Sequence, residues 1–257
     1  MLYLSKINEM EILNMAKPII GILGSDFRTE DEKFAFGTIE TYKNAIIDLG
    51  GIPITLMTTQ SVDVSGMLVS DVPKLTHDNY NDMIRQVSLC DGILLPGGKR
   101  IYPYDMDVTR YCLEINKPIL GICLGMQNMA CVDTSRNVRD ITEDIPIDEY
   151  SDNYIPHGDI SQKYVHSINI KKNTLLYSII EKEEIEVNSR HIHRVKDQLD
   201  DAIVTATAPD GTIEAIEFPN KRFAVGVQFH PESLYKEDEN MKNILKSFIY
   251  ASAINNI

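Results

Sequence analysis

One cysteine, Cys123, stands where the sequence changes from a short apolar strand to a helix. The predicted strand is the run 117–120 and the predicted helix is the run 126–131, and Gly121 and Gly125 lie two residues to either side of the cysteine. Glycines at these positions allow a tight turn that exposes the sulfur, which is the thiol form of the nucleophile elbow. The N-terminus of the following helix favours a negative charge, so the pattern predicts a thiolate nucleophile for acyl transfer.

A second pair of residues provides what a thiol nucleophile needs, which is a base and a group that orients the base. His230 and Glu232 follow an apolar run that is predicted to be a strand. On extended backbone, side chains two residues apart point the same way, so Glu232 can hold one imidazole nitrogen while the other faces Cys123. A histidine at a strand end alone is more often structural, but the cysteine elbow favours a catalytic role here.

A glycine-rich turn offers donors for the negative oxygen that develops during acyl transfer. Gly97 and Gly98 follow the apolar run 92–95, and glycines leave backbone N–H groups uncovered. We expect the N–H group of Gly98 and that of Leu124, directly after the cysteine, to converge on the oxyanion. A Gly-Gly pair is also what an ordinary tight turn uses, so this motif is weak by itself.

The elements that must position these residues alternate along the first half of the chain. Strands are predicted at 18–23, 52–57, 92–95 and 117–120, and helices around 39–49, 76–89, 106–115 and 126–131. This order is typical of an α/β fold in which a mainly parallel central sheet has helices on both faces, a three-layer sandwich.

The second half of the chain is richer in strands. They are predicted at 164–170, 184–187, 202–208 and 223–229, with a hairpin turn at Asp210-Gly211 and a final helix over 237–253. Residues 1–16 are interpreted as an N-terminal extension without a role in the chemistry, and residues 17–257 as a single domain. The polar run 133–160 is predicted to be a long loop near the site.

Composition argues against several classes of partner. The chain has 257 residues, of which 43% are hydrophobic, enough for a large core. Its net charge of −13 disfavours nucleic acid and anionic membranes as partners. No apolar run is long enough to span a bilayer, and the first residues lack the pattern of a secretory signal. The four cysteines form no C-x-x-C motif, so we expect reduced thiols and a cytoplasmic protein.

Other side chains that could carry chemistry are expected to be structural. These are Cys90, Cys112 and Cys131 in the core and His157 and His166 in loop and strand packing. His191 and His193, two residues apart, are a weak indication of a metal. No cysteine or carboxylate cluster in the sequence completes such a site, so no metal is expected.

Together these motifs resemble the class I glutamine amidotransferase-like superfamily. The elbow at 121–127 and the segment 226–232 are the strong matches, and the resemblance covers the chain from about residue 18 to the last helix. Segments 96–103, 187–191 and 208–216 are similar to the γ-glutamyl-γ-aminobutyrate hydrolase-like branch. The resemblance implies the flavodoxin-like fold of class I glutamine amidotransferases.

The resemblance also implies a reaction and its residues. The reaction is hydrolysis of a γ-glutamyl amide or isopeptide bond through a thioester, without a cofactor. Cys123 would be the nucleophile, His230 the general base and Glu232 the group that orients it. Gly98 and Leu124 would form the oxyanion hole. The implied substrate-binding residues are Gly97, Gln127, Ser189, Arg190 and His191.

Four departures from the branch lie in or near loops on the leaving-group side. Lys99-Arg100 stands where the branch usually has an Asp, and the segment from Pro103 to the elbow is shorter than usual. Where the branch has two adjacent histidines, this chain has histidines at 191 and 193 with one residue between them. Where the branch has Gly-Gly-Thr, this chain has Val132-Asp133-Thr134. These departures leave the identity of the released amine open. Lys99 and Arg100 are candidates to pair with a substrate carboxylate.

Two other functions remain open at this point. A glutaminase subunit would hand ammonia to a separate synthetase and would need that partner, because no synthetase domain is predicted in the chain. A non-catalytic binding protein on the same fold is the third interpretation, and the intact set of Cys123, His230 and Glu232 argues against it. The expected partner is a small-molecule γ-glutamyl substrate, neither nucleic acid nor membrane, and a homodimer is left open.

Overall fold

A nine-stranded mixed sheet forms the centre of the protein, seen here in a computed structural model. The structure describes residues 16–64, 67–134, 141–145, 155–196 and 199–254. The predicted N-terminal extension covers residues 1–16, and only its last residue is among the described residues. Parts of the predicted loop over 133–160 also lie outside them.

The strands and helices are numbered in chain order. The strands are β1 (Ile19–Leu23), β2 (Ser25–Arg28), β3 (Phe34–Gly37), β4 (Ile52–Leu56), β5 (Gly92–Leu95), β6 (Ile119–Ile122), β7 (Thr142–Asp144), β8 (His166–Ile170), β9 (Glu184–Val187), β10 (His193–Val195), β11 (Ile203–Thr207), β12 (Ile213–Glu217) and β13 (Ala224–Val227). The helices are α1 (Glu40–Asp48), α2 (His77–Ser88), α3 (Pro103–Glu114), α4 (Leu124–Thr134), α5 (Leu175–Ile180) and α6 (Glu239–Ala253).

The main sheet has the strand order β4-β1-β5-β6-β13-β12-β11-β8-β9. Its first five strands are parallel to one another, as the alternation of strands and helices predicts. The remaining pairs are antiparallel, so the sheet is parallel only in the half that carries the elbow. The predicted hairpin turn at Asp210-Gly211 joins β11 to β12, and Gly211 takes a positive φ of 85° there.

Helices cover both faces of the sheet and confirm the three-layer sandwich. Apolar side chains of α1, α5 and α6 pack on one face, and those of α2, α3 and α4 pack on the other. Strands β5, β6 and β13 are buried along their whole length, as expected for strands covered on both faces. None of the helices in the described part of the chain combines the length and apolar character needed to cross a bilayer.

Three short elements were not predicted. The hairpin of β2 and β3 and the ribbon of β7 and β10 each form a separate two-stranded sheet, so neither contributes an apolar run to the core. Helix α5 has only six residues, too few for a clear helical period. Helix α3 begins at Pro103, earlier than predicted, because proline suits a first turn and Asp105 accepts the N–H of Tyr102 at 2.8 Å.

Candidate active site

Three neighbouring parallel strands end at the candidate site. Gly97 and Gly98 follow β5, Cys123 follows β6, and His230 comes shortly after β13. Because carboxyl ends of parallel strands meet at one edge of a sheet, these residues converge there. A Cβ atom added to Gly97 would lie 3.0 Å from Cε1 of His230 and 3.5 Å from Cβ of Cys123. The structure thus brings together the turn, the thiol and the imidazole that the sequence singles out.

Cys123 occupies a strained turn between β6 and α4. Its φ is +53°, in the left-handed region that residues with a side chain rarely adopt. The N–H group of Cys123 donates to the carbonyl of Val227 at 2.8 Å, and its own carbonyl accepts the N–H of Gln127 at 3.2 Å. These bonds hold the backbone on both sides of the strained residue, which is the geometry of a nucleophile elbow.

Glu232 contacts His230 as expected, but the backbone conformation that brings the two side chains together differs from the predicted one. The Nδ1 atom of His230 lies 2.8 Å from Oε1 of Glu232, and both residues are buried. The sequence pattern predicts extended backbone, whereas Pro231–Ser233 is a single 3-10 turn. Proline directly after His230 favours such a turn. The Nε2 atom of His230 has no hydrogen-bond partner among the described residues and is available to the sulfur.

Asn188, which was not predicted to belong to the site, fixes the backbone of His230. Its Oδ1 accepts the N–H of His230 at 2.7 Å, and its Nδ2 donates to the carbonyl of His230 at 2.9 Å. Two hydrogen bonds from one amide to the backbone of one residue hold that residue in position. The sequence did contain a signal for this role: Asn188 comes directly after the predicted strand 184–187, within a segment that resembles the branch.

The charge state of His230 follows from its surroundings. Burial lowers the pKa of His230, but the negative charge of Glu232 and the nearby Cys123 sulfur outweigh burial and raise it to about 10. The imidazole is therefore a cation at neutral pH, next to the thiol. A cationic histidine beside a cysteine stabilises the thiolate form.

The two residues that are predicted to donate to the oxyanion, Gly98 and Leu124, belong to different elements. The N–H of Gly97 is already bonded to the hydroxyl of Tyr42 at 2.9 Å, so Gly98 is the better donor on this turn. Leu124 is the first residue of α4, and N–H groups in a first turn have no acceptor within the helix. The Leu124 side chain lies 3.2 Å from the position of a Cβ on Gly98. The two residues are close, and their role as an oxyanion hole stays a prediction.

The predicted substrate-binding side chains are held by other residues or lie at the surface. Gln127 is buried, and its Nε2 is 3.2 Å from Oε1 of Gln228. Ser189 and His191 are buried, whereas Arg190 is exposed and its Nη1 is 3.2 Å from Oγ of Ser233. A substrate-binding role for these residues stays a prediction.

A pocket beside the elbow contains one of the two basic residues that depart from the branch. It is lined by Gly98, Arg100, Tyr102, Asp105, Leu124 and Asn128, among others. Burial raises the pKa of Asp105 to about 7. Arg100 is 3.8 Å from the carboxylate of Asp26, so an anionic substrate would compete with that carboxylate for the guanidinium.

A second group of ionisable residues is buried together within the described part of the chain. His157, His166, His191 and Glu214 are all buried, and one ligand-type atom of each lies within 4.8 Å of the others. From the sequence, His157 and His166 are expected in separate structural roles, and Glu214 has no predicted role. The four residues come from four separate segments, so no spacing rule could have joined them.

Comparison with known proteins agrees with this geometry. A model of the Peptidase C26 family matches residues 103–232, about half of the chain. CTP synthase of Staphylococcus aureus (strain NCTC 8325 / PS 47) is 31% identical over 258 residues, which cover 92% of this chain and 45% of that protein. CTP synthase of Staphylococcus saprophyticus is 34% identical over 206 residues, covering 71% and 37%. The chain thus spans less than half the length of these relatives.

Two solved structures share the fold. A putative GMP synthase subunit from Thermoplasma acidophilum has a TM-score of 0.58 and 16% identity, covering 93% of this chain and 96% of that one. The glutaminase domain of Trypanosoma brucei CTPS with bound acivicin has a TM-score of 0.59 and 19% identity, covering 94% and 95%. With the family match and the elbow geometry, these likenesses lead to one conclusion: the chain belongs to the Peptidase C26 family and has the class I glutamine amidotransferase fold.

Proposed function

We propose that this protein is a cysteine-dependent glutaminase that hydrolyses the side-chain amide of glutamine and supplies ammonia to a synthetase. The observation that carries the proposal is Cys123 in a left-handed elbow beside His230, whose imidazole is held by Glu232 at 2.8 Å. The names of the relatives support glutamine as the substrate, since they are CTP synthases and a glutaminase domain.

The first half of the proposed reaction forms a thioester. The thiolate of Cys123 attacks the side-chain carbonyl carbon of glutamine, and the N–H groups of Gly98 and Leu124 donate to the developing oxyanion. The imidazolium of His230 donates its proton to the departing nitrogen, so that ammonia leaves as the C–N bond breaks. Glu232 is a positioning residue that keeps the imidazole oriented and stabilises its charge.

The second half of the proposed reaction regenerates the enzyme. His230, now neutral, takes a proton from a water molecule that attacks the thioester carbonyl. The C–S bond breaks, glutamate leaves, and the thiolate and imidazolium are restored. No redox step or external cofactor is needed to balance these steps.

The ammonia acceptor is proposed to lie in a separate synthetase domain or protein. The chain matches less than half of the CTP synthases that it resembles, and the solved glutaminase domain of CTPS covers nearly the same extent of fold. Glutaminase activity that is low alone and rises on adding a synthetase partner would support this part of the proposal.

Hydrolysis of a γ-glutamyl amine is the second candidate, and two observations favour it. The segments 187–191 and 208–216 resemble the γ-glutamyl-γ-aminobutyrate hydrolase-like branch. The pocket beside the elbow, with Arg100 and Asp105 in its wall, offers polar groups to a leaving amine larger than ammonia. The chemistry at Cys123 is the same for both candidates, and only the leaving group differs.

A substrate panel distinguishes the two candidates. The full chain is incubated with free glutamine and with a series of γ-glutamyl amines, and the release of glutamate is measured for each. We expect glutamine to be hydrolysed with the highest kcat/KM. A γ-glutamyl amine that is preferred over glutamine by tenfold or more, which corresponds to about 1.4 kcal/mol of transition-state free energy, would establish the second candidate instead.

The pH dependence of activity tests the role of Glu232. Because His230 must be protonated to release the amine, kcat/KM should fall as the pH rises through the pKa of about 10. In a Glu232→Gln variant the negative charge is gone, the pKa of His230 falls, and the alkaline decline should move to lower pH by about 1–3 units. The measurement is the pH profile of kcat/KM for both proteins.

A matched control for this prediction is Glu237→Gln, which removes an exposed carboxylate that pairs with Lys163 at 2.6 Å. Its pH profile should coincide with that of the unmodified protein. An alkaline decline at the same pH in Glu232→Gln as in the unmodified protein would mean that Glu232 does not set the charge of His230.

A further inference from the structure

The buried group of His157, His166, His191 and Glu214 lies beside the antiparallel half of the main sheet. His166 begins β8, Glu214 belongs to β12, and the other two histidines lie in loops. Glu214 is fully buried, and each histidine in the group is at most 6% exposed. Placing one carboxylate and three imidazoles together out of water is costly unless they pair with one another or hold an ion.

Each imidazole in this group has an outer ring nitrogen that faces an oxygen outside the group. The acceptors are the carbonyl of Ser167 for His166 at 3.1 Å, the carbonyl of His193 for His191 at 3.0 Å, and the carboxylate of Asp210 for His157 at 3.0 Å. Since carbonyl and carboxylate oxygens can only accept, the ring nitrogens facing them must carry the proton. When the imidazoles are neutral, the opposite nitrogens therefore present lone pairs to the centre of the group. Burial lowers the pKa of His157, but Asp210 and Glu214 outweigh burial and raise it to about 9, so a metal ion would have to displace one proton there.

The inner atoms of the group gather around one carboxylate oxygen, and all of them lie within 4.8 Å of one another, so small shifts would bring them to the spacing of ligands of one ion. The inner nitrogens of His157, His166 and His191 lie 3.4, 3.6 and 3.4 Å from Oε1 of Glu214. Those of His166 and His191, and both oxygens of Glu214, have no hydrogen-bond partner within the described residues. Ligands about 2.0–2.1 Å from a tetrahedral zinc ion lie about 3.3–3.4 Å from each other.

We propose that His157, His166, His191 and Glu214 form a binding site for one zinc ion. Three imidazole nitrogens and one carboxylate oxygen are a ligand set that zinc accepts, and the outer N–H bonds are the supporting contacts that metal-binding histidines usually make. With all four positions filled by protein and every ligand buried, the site is structural. The ion would tie the loop at His157 to β8, β12 and the loop at His191.

The proposed zinc site is connected to the catalytic histidine. His191, one of the proposed ligands, comes three residues after Asn188, and Asn188 makes two hydrogen bonds to the backbone of His230. Bound zinc would therefore hold the turn that fixes His230. The zinc site is separate from the elbow, and its existence does not depend on the proposed glutaminase function.

The first test is the metal content and coordination of the full chain. Protein produced in zinc-supplemented medium and dialysed against metal-free buffer should contain about one zinc ion per chain by elemental analysis. After chelation, Co²⁺ added in place of zinc should give the strong visible absorption of tetrahedral coordination. Returning zinc should raise Tm, because an ion that binds only the folded state stabilises it.

Variants separate this site from other zinc ligands. Glu214→Gln and His166→Gln should each weaken zinc binding by tenfold or more, and circular dichroism would check that both variants are folded. Cys123→Ala and His193→Gln should retain zinc. His193 is the matched control histidine, since it is half-exposed and pairs with Asp144 outside the group.

Three results would overturn the proposal. The first is a folded protein that holds no stoichiometric zinc. The second is Co²⁺ that gives no tetrahedral spectrum. The third is zinc that is lost in Cys123→Ala but kept in Glu214→Gln. In the first two cases, the four residues would be hydrogen-bonded to one another without a metal ion. In the third case, the zinc ion would be bound by Cys123. The first two results would leave the proposed glutamine hydrolysis untouched, because the four residues do not include Cys123, His230 or Glu232.

Discussion

Replacing Cys123 with alanine is expected to lower kcat for amide hydrolysis by about 10⁶-fold, the scale seen when a covalent nucleophile is removed. The reason is that no other described group in the site can form the thioester. Water alone would have to attack the carbonyl, assisted only by His230 and the candidate oxyanion donors. The fold should survive, because the sulfur of Cys123 is not the anchor of the elbow: its backbone is held through Val227 and Gln127.

The matched control for Cys123→Ala is Cys112→Ala. Cys112 is a free, fully buried cysteine on α3, and burial raises its pKa to about 12, so its thiol is unreactive. This variant should lose some stability through the cavity it leaves and keep kcat unchanged. Substantial turnover in Cys123→Ala, measured as glutamate release with the protein shown to be folded, would refute the proposed chemistry.

Replacing Gly125 with alanine is expected to cost about 3 kcal/mol or more of unfolding free energy, at the upper end of overpacking effects. The added Cβ would lie 2.2 Å from the carbonyl oxygen of Leu95 and 2.8 Å from its carbonyl carbon. Backbone atoms of β5 cannot move aside without disturbing the turn at Gly97 and Gly98. Activity should therefore fall together with stability, which chemical denaturation and the amidase assay would measure.

Gly158→Ala is the control for this substitution. A Cβ on Gly158 would meet nothing nearer than 3.7 Å among the described atoms, and the free energy of unfolding should change by less than about 0.5 kcal/mol. If Gly125→Ala were as stable and active as the unmodified protein, the close packing of the elbow helix against β5 would not be needed to hold the nucleophile.

The elbow could be predicted in detail because its constraints are local. Gly121 and Gly125 flank Cys123, and a Cβ on Gly121 would lie 2.7 Å from the backbone of Gly125. The backbone at Gly121 and Gly125 comes this close because the chain turns sharply at Cys123, where φ is positive. Only glycine leaves room for such a turn at the two flanking positions. Parallel order then placed His230 and Gly98 beside it, since both follow strands that neighbour β6.

The antiparallel half and the histidine group could be predicted much less well. The group is assembled by long-range pairing of β8, β11 and β12, and sequence spacing carries no information about such pairing. The structure shows what the sequence did not indicate: Glu214 and Glu217 lie in a strand that is buried at every position, and a buried carboxylate needs partners. Glu217 finds them in the N–H groups of Leu175 and Leu176.

The remaining expectations concern the domain division, the location and the oligomeric state of the protein. The division into an extension over residues 1–16 and a single domain over residues 17–257 stays a prediction. So do the cytoplasmic location and a homodimer. The family match shows that the chain belongs to the Peptidase C26 family. The identity of the leaving group stays open, because the segments around Lys99 and Val132 differ from the branch.

The decisive experiment for the proposed chemistry is to trap the thioester. The full chain is mixed with glutamine, quenched with acid during turnover, digested and studied by peptide mass spectrometry, with Cys123→Ala treated in parallel. We expect a glutamyl group on the peptide that contains Cys123 and on no other cysteine peptide, and none in the variant. Cys123 would not be the nucleophile if glutamine turned over with the adduct on another residue. The same would hold if no adduct formed on Cys123 under conditions where hydrolysis of the thioester limits the rate.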